Sequence, residues 1–101
     1  MHNIFMEILY ANTFFKRFKG LMAKKDFDNV LVFSDLKDSG IHTMFMRFEI
    51  DVYFIDENKV IYDKRSLKPW KFYRPKKRAK YIVETKKGLL NLKKGDKLDF
   101  I

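Results

Sequence analysis

The segment Ile41–Asp51 places ionisable groups that could do chemistry inside an otherwise apolar stretch. It contains His42, Arg47 and Asp51, and a further carboxylate, Glu84, lies in a later apolar segment. Burying such groups is costly unless they are paired, so each needs a structural partner or a functional role. A histidine beside a carboxylate could act as an acid–base pair or line a polar pocket for a small ligand.

Two interpretations of these groups follow from strand alternation, which places His42 and Arg47 on opposite faces. In the functional interpretation, His42 meets Asp51 or Glu84 across a sheet and forms a ligand pocket. In the structural interpretation, Arg47 pairs with one of the carboxylates and His42 bonds a backbone carbonyl. The candidate ligand-binding residues, which include one aromatic residue, are His42, Arg47, Asp51, Glu84 and Trp70.

Few of the residues that metal binding or catalysis requires are present. There is no cysteine, and His2 and His42 are the two histidines, whereas a zinc site needs three or four convergent ligands. No HExxH, CxxC or EF-hand pattern occurs, and Ser34, Ser39 and Ser66 lack the context of a nucleophile elbow. The sequence predicts no metal, no cofactor and no catalytic residue; a small hydrolase that uses His42 is an alternative.

The whole charge excess of +9 lies in residues 64–80. This segment holds nine of the 22 basic residues and no acid, so the remaining 13 basic residues balance the 13 acids. Trp70, Phe72 and Tyr73 are interleaved with the cations, a combination that single-stranded nucleic acid sites use for phosphate attraction and base stacking. Alternatively, the segment is a solvated loop that Pro69 and Trp70 anchor to the core. The candidate polyanion-binding residues are Lys64, Arg65, Lys68, Lys71, Arg74, Lys76, Lys77, Arg78 and Lys80.

The elements that must position these residues are mostly short strands. Apolar alternation and turn signals predict strands at Ile4–Tyr10, Val30–Phe33, Ile41–Phe48, Ile50–Ile55, Val60–Asp63, Lys80–Thr85 and Leu98–Ile101. Residues 56–59 are predicted to form a hairpin loop, and Thr13–Lys25 a helix that Asn12 and Thr13 could cap. This pattern predicts a mainly β fold, barrel or sandwich-like, with one short α-helix near the N-terminus.

Length and composition indicate a single domain, residues 1–101. An apolar content of 47% with 17% aromatic residues excludes a disordered profile, and no apolar run approaches the roughly 18 residues of a membrane span. The first ten residues lack the basic start and cleavage site of a signal peptide. We therefore expect a cytoplasmic protein. High lysine and absent glutamine are typical of an AT-rich genome, a thermophile, or both.

Three blocks of residues, in this order and spacing, carry a resemblance to a known family. They are Ala11, Thr13, Arg17 and Gly20–Met22; then Ile41–Phe54 apart from Met44, Glu49 and Tyr53; then Pro69, Trp70, Ala79, Glu84, Gly88, Gly95 and Asp96. The chain resembles the family known as domain of unknown function 192, small uncharacterised proteins of bacteria and archaea. It departs at Glu49 and Asn29, where members commonly have Pro and Gly. The resemblance implies a mainly β fold with one short helix, and brings no catalytic residues.

The leading hypothesis from the sequence is a non-enzymatic β domain that binds a small ligand or a protein partner around His42 and Arg47. The first alternative is binding of nucleic acid or another polyanion through residues 64–80. The second is the hydrolase that uses His42. The identity of the partner stays open.

Overall fold

The computed structural model describes residues 8–11, 30–34, 39–44, 46–99 and 101, and confirms a mainly β fold. The strands are β1 Ile8–Ala11, β2 Val30–Ser34, β3 Ile41–His42, β4 Ile50–Ile55, β5 Ile61–Leu67, β6 Phe72–Tyr73 and β7 Tyr81–Lys86. Five of them form one sheet in the order β1-β2-β7-β4-β5, and β3 pairs with β6 in a separate two-stranded ribbon. The predicted helix Thr13–Lys25 and residues 4–7 of the first predicted strand lie outside the described residues.

The sheet is covered on both faces, which explains why every residue of β4 is buried. Ile50, Val52 and Phe54 point to one face, where residues of the ribbon and its loops pack against them. Tyr53 and Ile55 point to the other face, which is covered in part by Leu89, Leu90, Leu92, Leu98 and Ile101. We call these the ribbon face and the C-terminal face.

Most pairing in the sheet is antiparallel, and the exception is β1, which runs parallel to β2. The central strand β7 pairs with β2 on one side and β4 on the other. Ile82 of β7 therefore lies between Phe33 and Phe54 on the ribbon face. Within the described part of the chain, no helix is long and apolar enough to cross a membrane.

The strand predicted at Ile41–Phe48 is too long, because β3 ends at His42. The next residue, Thr43, bonds through its backbone to the loop before β6, and its carbonyl accepts a hydrogen bond from the Met46 N–H at 3.2 Å, which turns the chain. The strand β6 was not predicted at all. Two residues are too few to show a periodic pattern.

Two other strand boundaries differ from the predictions. The strand predicted at Val60–Asp63 begins one residue later, at Ile61, and continues to Leu67, because residues 64–67 also pair with β4. At the C-terminus, the predicted strand Leu98–Ile101 is absent from the described residues, and Lys97 forms an isolated bridge to Val60.

The hairpin predicted at residues 56–59 is confirmed, and Asp56 explains its shape. One oxygen of the Asp56 carboxylate accepts hydrogen bonds from the N–H of Asn58 at 2.9 Å and of Val60 at 3.0 Å. Aspartate favours such turns because its short side chain reaches the backbone two residues on.

Candidate functional site

The ribbon brings together two regions that the sequence left separate, the segment of His42 and the basic segment. Ile41 pairs with Tyr73, and both pack against the core. The next pair, His42 and Phe72, therefore faces away from the core. Phe72 is 62% exposed, whereas His42 is half-buried and its Nδ1 atom lies out of contact with solvent. Directly opposed side chains are neighbours, about 5 Å apart at Cβ.

Three large apolar side chains are exposed among the described residues, and all three lie on or beside this ribbon. They are Met44, Trp70 and Phe72, with exposures of 43%, 60% and 62%. Met44 follows Thr43, and the Trp70 N–H donates to the Thr43 carbonyl at 2.9 Å, so Trp70 is held near the end of β3. Exposed aromatic residues at one end of a domain are typical of an interaction surface.

Cations of the basic segment lie over aromatic rings near the ribbon. The guanidinium of Arg74 is 5.7 Å from the centroid of Phe72, and that of Arg65 is 4.6 Å from the centroid of Tyr73. The ammonium of Lys77 lies 4.8 Å from the centroid of Tyr62. Such contacts orient the cations while leaving them at the surface.

The nine basic residues do not form one surface. Lys64 donates to the carbonyl of Leu92 at 2.8 Å and lies 5.2 Å from the ring of Tyr53, so it belongs to the C-terminal face. Strand alternation directs Arg65 to the ribbon face instead. The eight other basic residues are all exposed: Arg65, Lys68, Lys71, Arg74, Lys76, Lys77, Arg78 and Lys80.

Asp63 is the acid of β5 that lies among these cations, and neighbouring side chains contact both of its carboxylate oxygens. The Tyr73 hydroxyl donates to its carboxylate, and Arg65 Nε lies 3.8 Å from the other oxygen. The hydrogen bond to Asp63 raises the pKa of Tyr73, with burial as a further cause. Asp63 therefore keeps Tyr73 neutral further into the alkaline range, and the charge that opposes its carboxylate is the guanidinium of Arg65.

The titration of the Tyr62 hydroxyl predicts how the stability of the fold changes at alkaline pH. Its hydroxyl donates to the carbonyl of Lys77 at 2.6 Å. Burial, and then the charge of Asp63, raise its pKa from 10.0 to about 12. The unfolded chain loses this proton near pH 10 while the folded chain keeps it, so we expect the free energy of unfolding to fall between pH 10 and about 12.

Urea unfolding at intervals from pH 9 to 11.5 measures this effect. In Tyr62→Phe, the decline should be shallower, because the ring remains and the titrating group does not. Part of the slope should persist, since the pKa values of Tyr53 and Tyr73 are also raised. An unchanged slope in the variant contradicts the assignment to Tyr62.

The two candidate carboxylates lie on opposite faces of the sheet. Asp51 pairs with Thr85 of β7, and its neighbour Val52 pairs with Glu84, so side-chain alternation directs Asp51 to the C-terminal face and Glu84 to the ribbon face. Both are 3% exposed. One pocket cannot contain both.

Asp51 has a clear structural role. Its carboxylate accepts hydrogen bonds from the hydroxyl of Ser66 and, at 2.9 Å, from the N–H of Gly88. Gly88 has a φ of +82°, a conformation that favours glycine. Asp51 therefore joins β5 to the turn that follows β7.

Arg47 is exposed and, within the described part of the chain, forms no ion pair with Asp51 or Glu84. The predicted pairing of Arg47 is therefore not seen among the residues that the structure describes. Glu84 pairs in register with Leu31 and Val52, and its Oε2 atom is buried. Because Asp51 and Glu84 lie on opposite faces, the candidate residues His42, Arg47, Asp51, Glu84 and Trp70 do not line one pocket. Ligand binding by any of them stays a prediction.

An open groove of about 480 Å³ lies between the hairpin of residues 56–59 and the end of the basic segment. Its lining residues are Asp56, Glu57, Lys77, Arg78, Ala79 and Lys80. The two acids oppose the cations here, so the groove is less favourable to a polyanion than the ribbon. Among the residues that the structure describes, no group of three or more His, Asp or Glu could hold a metal ion.

Sequence reasoning missed Thr43, which connects β3 to the loop before β6. It is fully buried, and its hydroxyl and backbone bond to Lys68, Trp70 and Lys71. The available signal was weak, since one threonine within an apolar segment is also compatible with an ordinary strand position.

Comparison with known proteins gives a family and close relatives. The family model DUF192, described as "Uncharacterized ACR", matches residues 2–100. A UPF0127 protein of Pyrococcus furiosus is 42% identical over 94% of this chain and 87% of its own length. One from Thermococcus sibiricus is 43% identical over 89% of this chain, which spans 63% of that relative. These homologues come from thermophilic archaea, and no solved structure matches.

Proposed function

The chain belongs to the DUF192 family, and we propose that it binds single-stranded nucleic acid through the outward side of the ribbon. One observation supports the proposal above the others: Trp70 and Phe72 are 60% and 62% exposed within a segment of exposed cations. Aromatic rings stack on bases while cations attract the phosphates. The proposed activity is binding, with no catalytic residue, and it is proposed to take place in the cytoplasm.

The geometry favours a single strand over a duplex. In a duplex the faces of the bases are stacked on one another, so side-chain rings can reach them only where bases are unpaired. A surface that bound by charge alone would need no exposed aromatic rings. Exposing these rings is unfavourable, because apolar surface in contact with water raises the free energy of the folded protein. The ribbon offers both groups, since Arg74 lies against the ring of Phe72.

The experiment is a titration of the protein with labelled single-stranded oligonucleotides, RNA and DNA in separate arms, at several salt concentrations. Trp70 is the only tryptophan, so its fluorescence reports stacking directly. We expect quenching of Trp70 and an affinity whose logarithm falls linearly with the logarithm of the salt concentration. Absence of binding, or equal affinity for a duplex of the same length, contradicts the proposal.

Matched lysine substitutions test the location of the phosphate contacts. Lys68 and Lys71 flank Trp70, whereas Lys93 and Lys94 lie in the segment that covers the C-terminal face. All four are exposed. Replacing Lys68 and Lys71 with glutamine should reduce the magnitude of the salt slope by about 1.4, because each single-strand phosphate contact contributes about 0.7.

Replacing Lys93 and Lys94 with glutamine removes the same charge and should leave the slope unchanged. An equal reduction in both double variants would show that net charge, rather than the ribbon, determines binding.

A further inference from the structure

Residues 68–71 form a turn with an unusual residue at its third position. Trp70 has a φ of +65°, in the left-handed region. Proline at the second position followed by a positive φ at the third is the pattern of a type II turn, where glycine or asparagine is normal. A bulky side chain in this conformation is strained, and such strain concentrates at functional sites.

Tryptophan is not needed at this position to fill the core, since the residue is 60% exposed. A glycine would adopt the same φ without strain. The turn therefore contains a residue whose backbone is strained and which is largely exposed to solvent.

Thr43 holds the turn from inside the fold. Its hydroxyl donates to the carbonyl of Lys68 at 2.6 Å and accepts from the N–H of Lys71 at 2.8 Å. Its backbone N–H donates to the Lys71 carbonyl at 2.8 Å, and its carbonyl accepts from the Trp70 N–H at 2.9 Å. A single fully buried residue thus satisfies backbone groups at both ends of the turn and at Trp70 itself.

We infer that Trp70 is a preformed stacking platform for one unpaired base, and that Thr43 is the positioning residue that holds it in the strained turn. This inference rests on the proposed function. Preorganisation of the ring removes an ordering cost that binding would otherwise incur. The ligand chemistry is a planar aromatic base within an anionic strand.

The first test compares Thr43→Val with Thr43→Ser. Valine keeps the shape and removes the hydroxyl, whereas serine retains it. We expect Thr43→Val to weaken oligo(U) binding about tenfold and to change both the near-ultraviolet circular dichroism and the acrylamide quenching of Trp70. Thr43→Ser should bind oligo(U) with an affinity within about twofold of that of the original protein. It should also restore the circular dichroism and the acrylamide quenching of Trp70. Measurements are made where unfolding curves show each variant to be folded.

Spectra of the free protein separate the two proposals. If the original protein does not bind oligo(U) but Thr43→Val alters the Trp70 spectra, the proposed function fails and the positioning role of Thr43 stands. If the spectra and the affinity are unchanged in a folded Thr43→Val, the positioning role is overturned.

A second variant tests the strain. Trp70→Gly should unfold at the same or higher urea concentration than the original protein and lose oligo(U) affinity. A clear drop in the urea midpoint would show that Trp70 is present for stability and would overturn the inference.

Discussion

Phe72→Ala is expected to weaken binding of a single-stranded oligonucleotide about 5- to 150-fold. Stacking of one base on an aromatic side chain contributes about 1–3 kcal/mol, which corresponds to that range. The ring of Phe72 is exposed, pairs across the ribbon with His42 and carries the Arg74 guanidinium at 5.7 Å. Its loss removes a stacking surface and also the ring contact of the Arg74 guanidinium.

The same substitution should barely change stability. Surface substitutions usually change the free energy of unfolding by at most about 0.5 kcal/mol, and Phe72 is 62% exposed. Anisotropy of a labelled oligonucleotide measures binding, and urea unfolding followed through Trp70 measures stability.

Two conservative variants distinguish stacking from general apolarity. Phe72→Tyr retains an aromatic face and should bind nearly as well as the original protein. Phe72→Leu retains apolar bulk without that face and should bind about as weakly as Phe72→Ala. If Phe72→Leu binds as well as Phe72→Tyr, the proposal that Phe72 stacks on a base is wrong, and its side chain contributes only apolar contact.

Phe54→Ala is expected to lower the free energy of unfolding by about 3–5 kcal/mol. Phe54 is fully buried in β4 on the ribbon face. Its ring centroid lies 5.6 Å from that of Tyr73 and 6.5 Å from that of Tyr62. Removing the ring leaves a cavity between the sheet and the ribbon, in a small domain whose total stability is of the order of 5–15 kcal/mol.

Urea unfolding of Phe54→Ala beside Phe72→Ala makes a matched comparison. The two variants delete the same side chain, one from the core and one from the surface. A loss below about 1 kcal/mol for Phe54→Ala would mean that the ribbon does not pack on the sheet as described. A similar loss in both variants would contradict the assignment of Phe72 to the surface.

Local sequence pattern predicted the middle of the sheet well. The boundaries of β4 agree with the prediction, Ile50–Ile55, and β2 and β7 agree to within one residue at each end. These strands carry apolar runs and lie between turn residues, so their conformation is encoded locally. The hairpin of Asp56 is local for the same reason, since its hydrogen bonds span two to four residues.

The candidate site was less accessible to sequence reasoning. Alternation along a continuous strand was expected to determine where His42 and Arg47 point, but β3 ends at His42. The opposite orientations of Asp51 and Glu84 depend on the register between β4 and β7. Asp51 and Glu84 are 33 residues apart in the sequence, and no periodicity within either strand contains the register between the two strands.

The sequence by itself determined the family, the mainly β fold and the segment that carries all of the excess charge. These properties depend on residue type and short-range order. Only the tertiary structure decided that His42 and the aromatic cation segment share one ribbon, that Lys64 lies on the other face, and that Thr43 holds the turn of Trp70. Thr43 and Lys68 are 25 residues apart, and their hydrogen bond forms because packing of the ribbon on the sheet brings two distant segments together.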